Sequence, residues 1–476
     1  MLFNSLDFAV FFPVVTLLYF LLPHRARVPL LVAASCGFYM AFVPKYLLIL
    51  FGVILIDYAA GRLIEPAAGA RRRWFLALSI VANVGLLAFF KYFDFLQGNA
   101  AVVAAWFGQP APFPALHILL PIGLSFHTFQ SMSYTIEVYR GRTPAERSPL
   151  HFACYVLFYP QLVAGPIERP QNLLAQFHAA HRFDADRLFS GLRLMVTGLF
   201  KKIIIADRLS PFADAAYTAP ASYSGADLLL ATYFFAVQIY CDFSGYSDIA
   251  RGAARVMGIE LMENFNKPYL AASFADFWRR WHISLSTWFR DYLYIPLGGN
   301  RLGYVRRALN LLAVFALSGI WHGANWTFVI WGLLHGVFLI AELALTRGKP
   351  AAPGPFGALL RFLLVFNLTS LAWVFFRAAD VATAKFVLTR IATAFAAPAS
   401  ASLLGPDALN FWLSLGLVLA LFFVEAIGHR RSLWAVLDEK PRWQRWTAYY
   451  VFAVAFAILA LTAPQHAPKP FIYFQF

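Results

Sequence analysis

Two histidines flanked by tryptophans are the residues of this chain best suited to chemistry. His282 stands in FWRRWHISLSTWFRDYLYIPLGGNR (277–301), and His322 stands in SGIWHGANWTFVIWGLLHG (318–336). Neutral imidazole is the side chain that moves protons most readily near pH 7. An ionisable side chain inside a membrane is costly unless it faces a cavity or a partner. If the surrounding chain lies in lipid, this pattern predicts proton-transfer chemistry within the membrane.

The residues next to His322 indicate what that chemistry could be. Gly323 permits a tight break, and Asn325 would share a helical face with His322 if the stretch were helical. An imidazole beside an amide can remove a proton from a hydroxyl and hydrogen-bond a developing oxyanion. Trp321 is a candidate lining residue of the same site. A structural histidine bonded to a backbone carbonyl is an equally weighted interpretation.

His282 lies in a strongly charged stretch. These charges could form ion pairs at the membrane surface, or line a mouth for a phosphate-bearing donor such as coenzyme A, which arginine forks bind well. Taken alone, the pattern favours an interfacial amphipathic helix. The charged residues are Asp276, Arg279, Arg280, Arg290 and Asp291.

Two aspartates end an apolar run in QIYCDFSGYSDIARG (238–252). Asp248 and Arg251 stand three residues apart, which predicts a local ion pair. Asp242 and Asp248 could instead position a catalytic histidine or line a tunnel. The sequence has no HExxH motif and no acidic cluster in helical register, and its three cysteines form no CxxC pair, so we expect no metal site.

The composition places this chemistry in a membrane. Of the 476 residues, 60% are hydrophobic and 13% are charged, and the mean hydropathy is +0.62. Soluble domains carry about 25% charged residues, so we predict a polytopic membrane protein. The net charge of +15 fits basic loops that meet anionic membrane lipid. A basic cytoplasmic surface would also attract an anionic donor, whereas nucleic acid is not expected as a partner.

Apolar runs of spanning length, or close to it, recur along the chain. They predict an all-α polytopic fold with eleven to thirteen transmembrane helices. Segments 150–165 and 268–297 are interrupted by Pro, Arg and His, which predicts re-entrant or interfacial structure. The runs are 7–22, 28–43, 46–61, 74–92, 116–136, 190–206, 226–242, 308–321, 324–345, 357–376, 409–427 and 446–463.

Arginines in alternate loops predict the orientation. Loops 23–27, 62–73 and 137–149 are basic and are assigned to the cytoplasm, whereas 95–115 is neutral and is assigned to the far side. The Pro/Gly-rich segment 347–356 predicts a boundary. It would divide a catalytic core at 1–346 from C-terminal transmembrane helices at 347–476, both parts of one integral domain.

Several segments together resemble the membrane-bound O-acyltransferase family, in particular its branch of alginate O-acetylation and teichoic-acid D-alanylation membrane proteins. The resemblance covers most of residues 1–345 and recurs at the C-terminus. The matching segments are LLPIGLSFHTFQSMSYTIEVYRG (119–141), YPQLVAGPIERP (159–170), YCDFSGYSDIARG (240–252), ENFNKPYLAASFADFWRRWHISLSTWFRDYLYIPLGGNR (263–301), GIWHGANWTFVIWGLLHG (319–336) and PFIYFQF (470–476).

The resemblance implies a tunnel through the membrane, with His322 as the catalytic residue and His282 as a second, donor-side histidine. It implies an acyl-CoA donor and an acceptor hydroxyl on the far side. We therefore expect acetyl-CoA as a substrate, no bound cofactor, and a multi-pass protein of the bacterial inner membrane. Periplasmic or membrane acetyltransferase proteins of a polysaccharide-modification complex are the expected partners.

The acceptor and the class of function have alternatives. Alginate is the favoured polymer, and cellulose, peptidoglycan, teichoic acid or a lipid are the others. A transporter would use the buried Asp and His as a proton relay and would work without acyl-CoA, but no internal repeat supports it. A non-catalytic scaffold of a polymer-export complex would tolerate His322→Ala.

Overall fold

The computed structural model describes residues 1–346, 354–397, 399–405, 407–428, 433–463 and 471–472. Within these ranges the regular structure is helical and no strand occurs, which confirms the all-α prediction. The helices form two compact units, one of residues 1–195 and 246–263, the other of residues 196–245 and 264–476. The predicted boundary segment 347–356 lies largely outside the described residues, so a division there stays a prediction.

The first unit is held together by polar contacts between apolar helices. The buried Asp57 carboxylate accepts hydrogen bonds from Ser79 Oγ (2.6 Å) and Asn83 Nδ2 (2.9 Å), and Thr135 Oγ1 lies 3.1 Å from Ser79 Oγ. Such interhelical bonds are what joins helices where lipid is as apolar as their side chains. The helices are α1 (Leu6–Leu21), α2 (His24–Met40), α3 (Leu47–Ile64), α4 (Gly69–Leu87), α5 (Phe93–Trp106), α6 (Leu124–Tyr139), α7 (Pro149–Leu157), α8 (Pro170–His178) and α9 (Ala185–Leu199), whose last turn belongs to the second unit.

The predicted far-side loop 95–115 is wrong in its first part. Helix α4 continues through a π-helical segment, Ala88–Tyr92, into α5, so that Gly69–Trp106 is one interrupted helix of 38 residues. At 1.5 Å per residue it is about 57 Å long, well beyond the hydrocarbon core of a bilayer. The lone Gly98 does not stop it, because a single glycine only weakens a helix.

The second unit contains the two histidines of interest. Its short helices α12 and α13 lie in the predicted interrupted segment 268–297. The helices are α10 (Asp207–Thr218), α11 (Gly225–Val256, ending in the first unit), α12 (Phe274–Arg280), α13 (Ile283–Phe289), α14 (Gly303–His322), α15 (Trp326–Thr346), α16 (Pro355–Arg377), α17 (Val381–Thr393), α18 (Ala408–Ile427), α19 (Leu433–Asp438) and α20 (Arg442–Leu461).

Seven described helices are long and apolar enough to cross a membrane, which confirms a multi-pass membrane protein. This count, which is based on the length and composition of the described helices, is lower than the eleven to thirteen spans predicted. Several other predicted runs form helices that are shorter or more charged. Helix α1 has only 16 residues, and α14 carries Arg306 and Arg307 near its start.

Helices α14 and α15 form an antiparallel pair that glycines bring into close contact. A Cβ atom on Gly332 would lie 2.2 Å from the carbonyl oxygen of Phe315, and one on Gly319 would lie 2.2 Å from that of Phe328. No side chain fits at either position without moving the backbone opposite. The two glycines therefore set the distance between the helix that ends at His322 and the helix that follows it.

We expect Gly332→Ala to destabilise the protein, because it forces α14 and α15 apart. Overpacking of this kind costs about 1–3 kcal/mol. Gly416→Ala in α18 is the matched control, since a Cβ there meets nothing within 4 Å and alanine favours a helix. Thermal unfolding in detergent should show a lower Tm for Gly332→Ala and an unchanged or higher Tm for Gly416→Ala. Equal Tm values for both variants would contradict the packing argument.

Candidate active site

His282 lies at a sharp break between α12 and α13, in a backbone conformation that few residues adopt. Its φ of 43° and ψ of 54° are left-handed, which costs a residue with a side chain about 1–2 kcal/mol. The side chain is fully buried. Strained backbone of this kind persists where the surroundings impose it, and it is concentrated at functional sites.

The segment around Asn264 imposes the break. The Ile283 N–H donates to the Asn264 carbonyl oxygen (3.0 Å), and the Ser284 N–H donates to Asn264 Oδ1 (3.2 Å). On the other side of His282, the Arg280 carbonyl accepts from the Asn266 N–H (2.9 Å). Hydrogen bonds thus join both flanks of His282 to one stretch of chain, a role for Asn264 that its sequence surroundings do not indicate.

Helix α12 is fixed at its other end by α15. Ser273 Oγ accepts a hydrogen bond from the Asp276 N–H (3.0 Å), and the Glu342 carboxylate accepts one from the Phe274 N–H (2.5 Å). A carboxylate at a helix N-terminus satisfies free N–H groups and complements the helix dipole. Glu342 lies 68 residues away from Phe274 along the chain, and its sequence surroundings do not indicate this role.

His322 ends α14 and is buried close to His282. Their ring centroids lie 6.4 Å apart with the rings inclined by 60°, so the structure brings together the two histidines that the sequence singles out. Trp321 lies against both, with ring centroids 6.1 Å from His282 and 5.0 Å from His322. Trp321 therefore contacts both rings, and its role as a lining residue of an active site stays a prediction.

Aromatic rings enclose the His322 side further. Trp331 lies 5.0 Å from His322 at 89°, and Phe376 lies 5.3 Å away at 69°. On the other side, Phe243 meets His282 edge-on at 4.6 Å. Such surroundings exclude bulk water and disfavour a charged imidazole. Both histidines are therefore suited to act as neutral bases or hydrogen-bond donors.

Asn325 does not share a helical face with His322, so the interpretation drawn from their spacing is wrong. Helix α14 ends at His322 and α15 begins at Trp326, so Asn325 lies in the break between them. Its Nδ2 donates to the Ala379 carbonyl oxygen (2.9 Å), and its Oδ1 accepts from the Thr327 N–H (3.0 Å). These bonds fix the connection between the helices, so Asn325 supports the site through the backbone.

The arginines of α12 lie at the surface end of the region. Asp276 pairs with Arg280 at 2.8 Å and with Arg279 at 3.6 Å, and the Arg279 side chain is 71% exposed. Arg279 and Arg290 line a mostly apolar cavity of about 420 Å³, together with Trp278, Phe315 and Ser318. Neither His282 nor His322 lines this cavity. A donor mouth at the arginines therefore stays a prediction.

Asp242 is linked to His282 through the neighbouring residue Phe243. Its carboxylate forms a buried ion pair with Lys202 (2.6 Å) and accepts a hydrogen bond from the Ile472 N–H (2.7 Å). The next residue, Phe243, contacts both Phe471 (5.2 Å) and His282. Asp242 thus anchors the part of α11 whose phenylalanine contacts the histidine ring, and a role in positioning His282 stays a prediction.

Asp248 belongs to the first unit and forms the ion pair that its spacing predicts. It lies 3.5 Å from Arg251, which also pairs with Glu263 at 3.5 Å. These contacts account for its charge. The geometry supports the ion-pair interpretation of Asp248.

Comparison with known proteins gives this arrangement a family. Residues 143–352 match the model of the membrane-bound O-acyltransferase family. The chain is 43% identical over 387 residues to a probable alginate O-acetylase of Azotobacter vinelandii, covering 80% of this chain and 76% of that protein. It is 38% identical to the peptidoglycan O-acetyltransferase of Helicobacter pylori, covering 82% and 79%.

A more distant relative is the teichoic acid D-alanyltransferase of Bacillus subtilis, which is 32% identical over 244 residues and matches 48% of this chain and 61% of that protein. The first two matches extend well beyond the segment that carries the histidines and cover most of both proteins. This extent confirms the resemblance inferred from the motifs, and the chain belongs to the membrane-bound O-acyltransferase family.

Proposed function

We propose that this protein transfers acetyl groups from cytoplasmic acetyl-CoA across the bacterial inner membrane for O-acetylation of an exported polysaccharide, with alginate as the polymer. One observation carries the proposal: His282 and His322 converge within 6.4 Å in an aromatic, water-poor site of a membrane-bound O-acyltransferase. The similarity to alginate O-acetylases over 80% of the chain supports the acetyl group and the polymer.

The two histidines divide the reaction between them. His322 accepts the proton of the acceptor hydroxyl as the oxygen attacks the thioester carbonyl carbon. The C–O bond forms, the C–S bond breaks, and the proton passes to the departing thiolate. His282 aligns the thioester and donates a hydrogen bond to its oxygen or sulfur, which lowers the energy of the charge that develops in the transition state.

The surface arginines suit an anionic donor. Arg279 and Arg290 stand where an apolar cavity begins, and guanidinium groups bind phosphates in a bidentate manner. An acetyl-CoA molecule bound there would leave its phosphates at the arginines while its thioester end points inward. The acceptor would approach from the opposite side of the membrane, either as sugar or as a hydroxyl of a partner acetyltransferase protein.

The test is reconstitution of the full-length protein in proteoliposomes with acetyl-CoA and alginate oligosaccharides on opposite sides. We expect release of free coenzyme A thiol that depends on the oligosaccharide or on a periplasmic partner protein, together with acetyl ester on the sugar. Esters on peptidoglycan fragments but not on alginate would overturn the choice of polymer. Transport of the saccharide without thiol release would overturn acyl transfer and favour a transporter.

A further inference from the structure

His335 is a buried histidine on α15 that the proposed chemistry does not use. Its ring is enclosed by aromatic rings: Trp278 lies 5.0 Å away, Trp331 lies 5.1 Å away, and Phe277 stacks on it at 6.1 Å and 7°. The side chain has no exposed surface. A histidine at a position that phenylalanine would fill equally well requires a reason.

The polar atoms of this cluster have no hydrogen-bond partner within the described part of the chain. This holds for both ring nitrogens of His335 and for the indole N–H of four neighbouring tryptophans. Leaving one such group unpaired in a protein interior costs about 1–3 kcal/mol. Several unpaired groups in one cluster therefore indicate a binding site for a polar ligand. The tryptophans are Trp278, Trp281, Trp331 and Trp373.

The cluster connects the 420 Å³ cavity with the candidate catalytic pair. Trp278 and Phe315 form part of the cavity wall, and both also contact His335, Phe315 at 6.5 Å. On the other side of His335, Trp331 contacts His322 at 5.0 Å. Ring contacts thus lead from the cavity wall through His335 and Trp331 to His322.

The hydrogen-bond donors and aromatic faces of the cluster suit one kind of ligand. Indole N–H groups and a neutral imidazole donate hydrogen bonds to carbonyl oxygens, and the aromatic faces pack against methylene groups. The residues of this cluster include no Lys or Arg, which disfavours a phosphate or a carboxylate as the ligand. The matching ligand is a slender neutral chain that carries amide carbonyls.

We propose that His335 and the tryptophan N–H groups around it bind the amide-bearing arm of the acyl-thioester donor, with the Trp278 side chain turning aside to admit it. This inference rests on the proposed function, in which acetyl-CoA is the donor. The arm of coenzyme A carries two amides between its phosphates and its sulfur. His335 is then a donor-binding residue that holds the arm between the cavity and His322.

The experiment compares donors that differ in their amides: acetyl-CoA, S-acetyl-pantetheine, S-acetyl-N-acetylcysteamine with one amide, and the acetyl thioester of a plain alkanethiol. His335→Phe keeps the ring and removes both nitrogens, and His335→Gln keeps a donor. We expect His335→Phe to raise KM for acetyl-CoA about five- to tenfold with little change in kcat, and to leave KM for the alkyl thioester unchanged. Partial recovery by His335→Gln is expected.

His24→Phe, at an exposed position, is the control. Its KM should match that of the wild type with every donor. If His335→Phe does not fold, Trp278→Phe removes one indole N–H and should give the same dependence on the amides. A KM change that is equal for all donors, or absent in both variants, overturns the inference while the proposed function stands. Absence of thiol release by the wild type overturns the proposed function, and the inference with it.

Discussion

Replacing His322 by alanine is expected to lower acetyl transfer by at least about 100-fold, because general acid–base catalysis by a positioned side chain contributes about 10²–10⁴-fold to a rate. His322 ends its helix and lies against His282, Trp321 and Trp331, where no bulk water can take over as base. The loss should appear in kcat, since the imidazole acts on the acceptor proton only as the bond to carbon forms.

The measurement is thiol release from acetyl-CoA by the reconstituted variant, with acetyl ester content of the secreted polymer as its counterpart in cells. His322→Gln serves beside His322→Ala, because it fills the pocket and can hydrogen-bond but cannot take a proton near pH 7. The surface variant His24→Ala controls for loss of a histidine as such. Full activity of a well-folded His322→Ala protein would show that the catalytic assignment is wrong and would favour a scaffold.

The sequence alone predicts the membrane class, the helical fold and the pair of histidines, since each depends on local information. Long apolar runs predict helices regardless of what packs against them. His282 and His322 stand out because ionisable side chains are rare in such surroundings. That these two residues, 40 positions apart, lie within 6.4 Å is a property of the fold.

The supporting residues could not be predicted, because their roles depend on contacts distant in sequence. Asn264 acts through its bonds to Ile283 and Ser284, and Glu342 acts through its bond to Phe274. Neither residue type carries a pattern that indicates such a partner. The only signal at Asn264 is a polar residue between aromatic and charged neighbours, which is common in loops.

At Asn325 the sequence suggests a role that the structure contradicts. Its spacing from His322 suggests a shared helical face, but spacing has that meaning only within one helix. The backbone becomes extended at Gly323, directly after α14, and the Asn325 side chain accepts a hydrogen bond from the Thr327 N–H as α15 begins. Asn is a preferred residue at such helix starts, a local signal that competed with the catalytic interpretation.

The second large effect is expected at His282. Here the contribution of the left-handed backbone and that of the imidazole have to be measured with different variants. Left-handed φ and ψ are tolerated by Asn and Gly but cost Ala about 1–2 kcal/mol. His282→Asn therefore keeps the break between α12 and α13 and removes the imidazole. The relief of backbone strain offsets part of the lost ring packing, so we expect a Tm near that of the wild type. We expect kcat to fall about 100-fold and KM for acetyl-CoA to rise.

His282→Ala should lose the same activity and have a lower Tm than His282→Asn, because alanine loses the ring and, unlike asparagine, does not favour the left-handed backbone. Asn264→Ala completes the set: it leaves His282 in place but removes the side-chain bond to Ser284 that holds it. If the imidazole itself acts on the thioester, His282→Asn will be far less active than Asn264→Ala at equal stability. If His282 serves only to turn the chain, His282→Asn will keep its activity, because asparagine adopts the same turn.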